Sequence, residues 1–177
     1  MNRIPTIDPA SATGKAQELM EAVKGKMGKI PNMMRAMANA PAVLEAYLNF
    51  SGALGKGKIN PKIREAIALA VGQANKCQYC VSAHTVLGSK AGLSEADVTA
   101  ARAGESGDAK LSGALRLALA INNNQGNVSD ADLAAARAAG LSDGEITEVV
   151  GVVSLNIFTN YFNHVADPEI DFPVAAL

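Results

Sequence analysis

The sequence predicts an all-helical domain, and three observations support that class. Apolar residues make up 49% of the 177 residues, whereas aromatic residues make up only 4% and tryptophan is absent. An alanine-rich, aromatic-poor chain suits closely packed helices better than sheets. No segment alternates polar and apolar residues with the period of two that marks a half-buried strand. A chain of this length can bury one substantial core, so we expect a single domain over residues 1–177.

The first third of the chain contains several helix-start signals. Residues 1–10 are predicted to form an extended N-terminal arm. Ser11 or Thr13 could cap a first helix, because side-chain oxygens of these types accept hydrogen bonds from the first free backbone N–H groups. After a glycine-containing loop, Asn32 could cap a short second helix. Pro41 suits the first turn of a third.

The middle of the chain predicts two consecutive helices. Asn60 and Pro61 are a favourable cap and first-turn pair. From residue 66 to residue 72 no side chain is polar, and a helix that is apolar on every side is buried. This helix should end near Asn75, and the next should start near Cys77 and continue to about residue 90.

The last part of the chain contains an internal repeat. Residues 93–104 and 128–139 each combine a serine cap, an acidic first turn and an alanine- and arginine-rich helix. A helix over 109–122 lies between them, and a long helix is predicted over 145–166. The repeat suggests two similar helical halves, followed by an extended tail over 167–177.

Charge and hydropathy exclude two classes of partner. The formal net charge is −1 and the chain has no basic stripe, which argues against nucleic-acid binding. No apolar run approaches the roughly 20 residues of a transmembrane helix. The first residues lack the apolar core of a signal peptide, so we expect a cytoplasmic protein. Because cytosolic thiols are kept reduced, a Cys-x-x-Cys there is more typical of catalysis or metal binding than of a static staple.

The chain has two cysteines, and both lie in one Cys-x-x-Cys motif. Cys77, Cys80 and His84 share one helical face, because residues three and four apart are neighbours. Free N–H groups at the helix start would favour thiolate over thiol, and His84 could accept the proton of Cys80. Glu65, on the preceding helix, could orient the imidazole if that helix folds back. A thiolate there could be oxidised to sulfenic acid and condense with the second thiol.

These residues carry a family resemblance. Glu65, "CQYC" at 77–80 and His84 resemble the active-site motif of AhpD-like alkylhydroperoxidases, which belong to the carboxymuconolactone decarboxylase superfamily. The stretch "IPNMMRAMANAPAVLEAYLNF" upstream resembles the peroxidase-related branch of that superfamily. The resemblance covers about residues 30–171 and is strongest over the two helices at 61–88.

The resemblance implies a function and roles for the residues. It implies an AhpD-like helical fold and a homo-oligomer. Cys80 would be the peroxidatic thiol and Cys77 the resolving thiol, with His84 and Glu65 as the proton relay. The substrate would be an organic hydroperoxide, and an external dithiol would reduce the resulting disulfide. No haem, flavin or metal ion would be required.

Five further side chains are candidates for the relay or for a substrate pocket. The family often has a histidine between the two cysteines, where this chain has Tyr79, a phenol that can donate a hydrogen bond but is a poor base near neutral pH. His164 lies among Phe158, Tyr161 and Phe162, which could wall a pocket for an organic hydroperoxide. Packing in the core or in an interface is the alternative for these four residues.

Two other functions remain open from the sequence. Cys77, Cys80 and His84 could supply three zinc ligands and His164 a fourth. The protein would then be a non-enzymatic helical oligomer whose Cys-x-x-Cys motif binds zinc or senses the redox state. A carboxymuconolactone decarboxylase-like reaction on a small carboxylated substrate would not need the thiols. Decarboxylases of the superfamily typically lack the cysteine pair, which makes that reaction the less favoured reading.

Overall fold

The computed structural model describes residues 2–177. Within that range it contains helices and no strand, so the all-helical class is confirmed. In chain order the helices are α1 (Gly14–Met27), α2 (Asn32–Met37), α3 (Pro41–Leu54), α4 (Pro61–Ala74), α5 (Gln78–Lys90), α6 (Glu95–Arg102), α7 (Ala109–Asn123), α8 (Asp130–Ala138) and α9 (Asp143–Ala166).

Helix α4 is the centre of the fold and packs against α5, α6, α7 and α9. Every residue from 66 to 72 is buried, as the unbroken apolar run predicted. The small residues of this run let the neighbouring helices approach closely. A Cβ atom at Gly72 would lie only 3.4 Å from the Cβ of Cys80. The first turn of α5 is therefore pressed directly against the end of α4.

The buried side chains form two clusters. The larger one joins α4 to α6, α7, α8 and α9. The smaller one lies between α1, α2, α3 and the first turns of α5, and it is rich in methionine. This second cluster contains Cys77, Tyr79, Cys80 and Ala83. The Cys-x-x-Cys motif therefore belongs to a core and not to a surface loop.

Side-chain caps fix the starts of the later helices. Asn60 accepts a hydrogen bond from the backbone N–H of Ile63 at 2.9 Å, as expected of a cap. The two repeated segments form α6 and α8, each opened by a serine in a reciprocal capping box. A third capping box at Ser142 starts α9 at Asp143, two residues before the predicted start.

The start of α2 differs from the prediction. Pro31, not Asn32, occupies the cap position, and Asn32 is the first helical residue. The Asn32 side chain instead donates to the carbonyl oxygen of Glu169 at 3.0 Å and accepts from the Arg35 guanidinium at 3.1 Å. Contacts with the C-terminal tail therefore displace the local capping interaction.

Both ends of the described chain lie against the helices. Backbone N–H groups of Arg3 and Ile4 donate to the carbonyl oxygen of Ala166 at 2.9 and 3.1 Å. Residues 167–177 contain no helix and run past α2 and the start of α5. None of the helices within residues 2–177 combines the length and the apolar character that a membrane span requires.

Candidate active site

The two cysteines are joined by a disulfide across the first turn of α5, with their Cα atoms 5.3 Å apart. Cys77 is the N-cap residue of that helix, and its Sγ accepts a hydrogen bond from the backbone N–H of Cys80 at 3.3 Å. Only 2% of Cys77 and 3% of Cys80 is exposed to solvent. Both sulfur atoms therefore lie at the positive end of a helix dipole and away from bulk water.

Glu65 and His84 meet because α4 and α5 run side by side in opposite directions. The Oε2 atom of Glu65 lies 2.7 Å from the Nδ1 atom of His84, and each side chain is 22% exposed. A carboxylate can only accept a hydrogen bond, so it holds the proton of a neutral imidazole on Nδ1. The Nε2 atom is then left with a free lone pair that can accept a proton.

Two neighbouring cavities connect this pair to the motif. Cys80 and His84 both line a small cavity of about 60 Å³, whereas Cys77 does not. His84 and Glu65 also line a larger cavity of about 470 Å³ that is mostly apolar. The residues shared by both cavities include Met34, Leu87 and Thr159. A substrate bound in the larger cavity would therefore approach Cys80 past the imidazole.

Tyr47, on α3, also lines both cavities. Burial and the negative charge of Glu65 raise the pKa of the Tyr47 hydroxyl to about 12. Tyr47 therefore stays protonated at neutral pH and presents a neutral hydrogen-bond donor to the cavities.

The sequence analysis missed Asn163, which lies on α9 and is 5% exposed. Its Nδ2 atom is 3.2 Å from the Sγ atom of Cys80, 3.9 Å from that of Cys77 and 3.4 Å from the Sδ atom of Met33. Its Oδ1 atom is buried and has no hydrogen-bond partner among residues 2–177. The two cysteine sulfurs therefore face an amide donor from the last helix.

Tyr79 is held by the C-terminal tail. Its hydroxyl donates to the Oδ1 atom of Asp171 at 2.8 Å and accepts from the backbone N–H of Met33 at 3.1 Å. Its ring packs edge-on against Phe172, with 5.7 Å between the ring centroids. Lys29 bonds the Asp171 carboxylate at 3.2 Å and lies over the Phe172 ring. In this structure the phenol joins α2, α5 and the tail.

Burial raises the pKa of the Tyr79 hydroxyl above its ordinary value. A Tyr79→Phe variant removes the phenol partner of the Met33 N–H group and one of the two side-chain partners of the Asp171 carboxylate. We expect it to lower the free energy of unfolding by about 1–3 kcal/mol. Thermal or urea unfolding would measure this loss. Tyr161→Phe is the control, since Tyr161 is 62% exposed. Equal stability of both variants would contradict the structural role.

The same variant should change stability at high pH. Above about pH 10 an unfolded tyrosine loses its proton while the buried Tyr79 keeps its own, so the wild-type protein loses stability as the pH rises. This loss should be shallower in Tyr79→Phe. The free energy of unfolding of both proteins, measured below and above about pH 10, tests the sign of this pH dependence.

The remaining candidates from the sequence lie outside the two cavities. The Nε2 atom of His164 donates to the carbonyl oxygen of Asn75 at 3.0 Å, beyond the end of α4. Phe158 is 38% exposed, and its ring packs against that of Phe162 at 6.4 Å between centroids. The structure thus brings Cys77, Cys80, Glu65 and His84 together and places His164, Phe158 and Tyr161 elsewhere.

Over residues 2–177 the structure brings no three His, Cys, Asp or Glu side chains into a group that could hold a metal ion.

Comparison with known proteins gives one family and one fold. Residues 41–118, which include both cysteines, Glu65 and His84, match the model of the carboxymuconolactone decarboxylase family. No curated protein matches the chain significantly in sequence.

Solved structures share the fold over nearly the whole chain. The AhpD-core, peroxidase-related protein of Ralstonia eutropha JMP134 has a TM-score of 0.84 at 23% identity, covering 96% of this chain and 92% of its own. A peroxidase-related protein of Silicibacter sp. TM1040 has a TM-score of 0.82 at 23% identity, covering 94% and 88%. The debrominase Bmp8, in complex with 2,3,4-tribromopyrrole, has a TM-score of 0.81 at 18% identity, covering 95% and 91%.

The family match contains the whole cysteine, histidine and glutamate constellation, and the shared fold extends over the rest of the chain. Residues 41–118 are therefore similar to the carboxymuconolactone decarboxylase family, and the chain as a whole shares the fold of the AhpD-like structures.

Proposed function

We propose that this protein is a dithiol peroxidase that reduces organic hydroperoxides through a Cys77–Cys80 cycle. One observation carries the proposal: Cys80, bonded to Cys77, lines the same cavity as an imidazole that a carboxylate holds at 2.7 Å. That arrangement combines a nucleophile, a base and a group that orients the base.

The reaction has two steps. His84 accepts the proton of the Cys80 thiol, and the thiolate attacks the terminal oxygen of the hydroperoxide. The O–O bond breaks, Cys80 becomes a sulfenic acid, and the alkoxide takes the proton from the imidazolium and leaves as an alcohol. The Cys77 thiol then attacks the Cys80 sulfur, forming the disulfide and releasing water. An external dithiol returns both cysteines to thiols, which fits a reducing compartment such as the cytoplasm.

The lining of the larger cavity favours an organic substrate. Side chains such as Val23, Leu48 and Leu87 provide an apolar surface on which an alkyl or aryl group can be buried. Hydrogen peroxide offers no such group. We therefore expect cumene hydroperoxide to oxidise the protein faster than hydrogen peroxide at equal concentration.

The test is an intact-mass measurement and thiol count on the reduced protein, before and after one equivalent of cumene hydroperoxide. The expected result is the loss of two hydrogen atoms and of both titratable thiols. Survival of both thiols would overturn the proposal. Zinc content, measured on the same sample, would reveal a metal-binding clip instead.

Two alternatives have specific support. Lys26 and Arg64 line the larger cavity and would attract a carboxylated substrate, as a decarboxylase-like reaction requires. Such activity should survive replacement of both cysteines. The fold shared with a debrominase suggests a halogenated aromatic as a second substrate for the dithiol, and bromide release from 2,3,4-tribromopyrrole would test it.

We further propose that the protein is a homo-oligomer. Val150, Phe158, Tyr161 and Val165 are exposed along the outer side of α9, and Phe50 is exposed on the adjacent α3. An apolar patch of this kind is typical of a protein interface.

Val165→Asp should therefore lower the mass measured by light scattering. Val174→Asp, on the tail, is the matched control because the two valines are 62% and 65% exposed. A wild-type protein that is monomeric at all concentrations would contradict the oligomer.

A further inference from the structure

The contacts of Asn163 go beyond general packing. Its amide nitrogen has two hydrogens, and the two nearest sulfur atoms are Cys80 Sγ at 3.2 Å and Met33 Sδ at 3.4 Å. A disulfide sulfur and a thioether sulfur carry no hydrogen and can only accept. The amide must therefore direct its nitrogen, and not its oxygen, at the sulfurs.

Met33 makes this orientation independent of the redox state. Reduction turns Cys80 into a thiol or a thiolate, but the thioether of Met33 remains an acceptor in both cases. If the amide rotated so that its oxygen accepted a hydrogen bond from a thiol, its nitrogen would lose the hydrogen bond to Met33. The amide oxygen is buried without a partner, which is a cost that packing alone does not explain.

We infer that Asn163 is a positioning residue that holds Cys80 as a thiolate in the dithiol form, with Met33 fixing the direction of its amide. An N–H group that donates to a charged sulfur forms a stronger hydrogen bond than one that donates to a neutral thiol. The amide therefore favours the thiolate, the form that attacks a substrate. The assignment of Cys80 as the attacking thiol rests on the proposed function, whereas the preference for thiolate does not.

Other titratable groups surround the motif without bonding either sulfur. His84 lies on the same helix, with Glu65 on α4, Tyr47 on α3 and the Tyr79–Asp171–Lys29 group between the tail, α5 and the loop before α2. Among the described residues, the side-chain hydrogen bonds to the two sulfurs come from Asn163.

The test measures the thiolate of Cys80 by its ultraviolet absorbance as a function of pH. Each variant carries Cys77→Ser, so that one thiol titrates, and serine can take over the N-cap position. The midpoint of this pH titration should rise in Asn163→Ala, which loses the hydrogen-bond donor. It should rise further in Asn163→Asp, which has the same shape but adds a negative charge. A rise of one pH unit leaves about tenfold less thiolate at pH values below the midpoint.

Two further variants separate this effect from structural damage. Met33→Leu keeps the volume and frees the amide, so a smaller rise in the midpoint is expected. Asn160→Ala removes another buried amide of α9, whose oxygen accepts from Asn75 and whose nitrogen donates to neither sulfur. It should lower stability and leave the midpoint unchanged.

Unchanged midpoints in Asn163→Ala and Met33→Leu would overturn the inference. If the Asn163 variants do not fold, Met33→Leu alone decides. A shifted midpoint in a protein that does not consume hydroperoxide would leave the inference standing and refute the proposed function.

Discussion

A Cys80→Ser variant is expected to lose hydroperoxide reduction completely, whereas a Cys77→Ser variant should complete the first half of the reaction and stop. Cys80 lines the small cavity with His84, but Cys77 points into the cap of α5 and does not line that cavity. Only the Cys80 sulfur therefore lies where it can contact both a bound substrate and the His84 base. Without Cys77, the sulfenic acid has no partner thiol in the chain.

Single-turnover peroxide consumption and intact mass distinguish the two variants. Cys77→Ser should consume one equivalent of cumene hydroperoxide and gain one oxygen atom, while Cys80→Ser should consume none and keep its mass. Both substitutions preserve size, and serine is itself a favourable N-cap residue at position 77. Comparable thermal unfolding would show that both variants fold.

Two outcomes would contradict the assignment in different ways. Oxygen gain by Cys77 in the Cys80→Ser variant would reverse the roles of the two thiols. If Cys80→Ser consumed peroxide at the wild-type rate, the thiol mechanism would be refuted. The thiol-independent reaction on a carboxylated substrate would then become the leading alternative.

The fold was predictable where local chemistry decides the structure. The Asn60–Pro61 pair starts α4, the apolar run after it is buried on all sides, and the serine caps start α6 and α8. The prediction was wrong for Asn32, because its side chain bonds Glu169, 137 residues away in sequence. A cap can be predicted from neighbouring residues only when no distant group competes for its side chain.

The same distinction applies to the site. Glu65 and His84 lie on consecutive helices, so their meeting needs only that α5 fold back along α4. Asn163 and Asp171 reach the motif from 83 and 92 residues away, and no local pattern places them there. The sequence did contain a signal for Asn163, since asparagines at 156, 160 and 163 form a polar stripe along one face of α9.

That stripe also explains why the aromatic residues lie outside the cavities. The buried positions of α9 near the site include Thr159, Asn160 and Asn163. Residues 158, 161 and 165 fall on the other side of the helix, where they are exposed. Phe158 and Tyr161 therefore lie on the outer face of α9, whereas Phe162 is half-buried and packs against the methionine-rich cluster.

A Glu65→Gln variant is expected to slow the oxidation of Cys80 by about a hundredfold, because general base catalysis contributes effects of this size. The present carboxylate can only accept, so the imidazole proton stays on Nδ1 and Nε2 remains free. A glutamine can instead donate to Nδ1, which favours the tautomer with its proton on Nε2. His84 is then still present but cannot accept the proton of the thiol.

The double variant tests whether the two residues act as one unit. Glu65→Gln combined with His84→Ala should be no slower than His84→Ala alone, since the carboxylate acts only through the imidazole. Glu148→Gln is the matched control: its carboxylate accepts the backbone N–H groups of Lys58 and Ile59 just before α4, at 2.9 and 2.8 Å. It should lower stability without changing the rate of Cys80 oxidation. Multiplicative effects of the two site variants would mean that Glu65 acts on the reaction independently of His84.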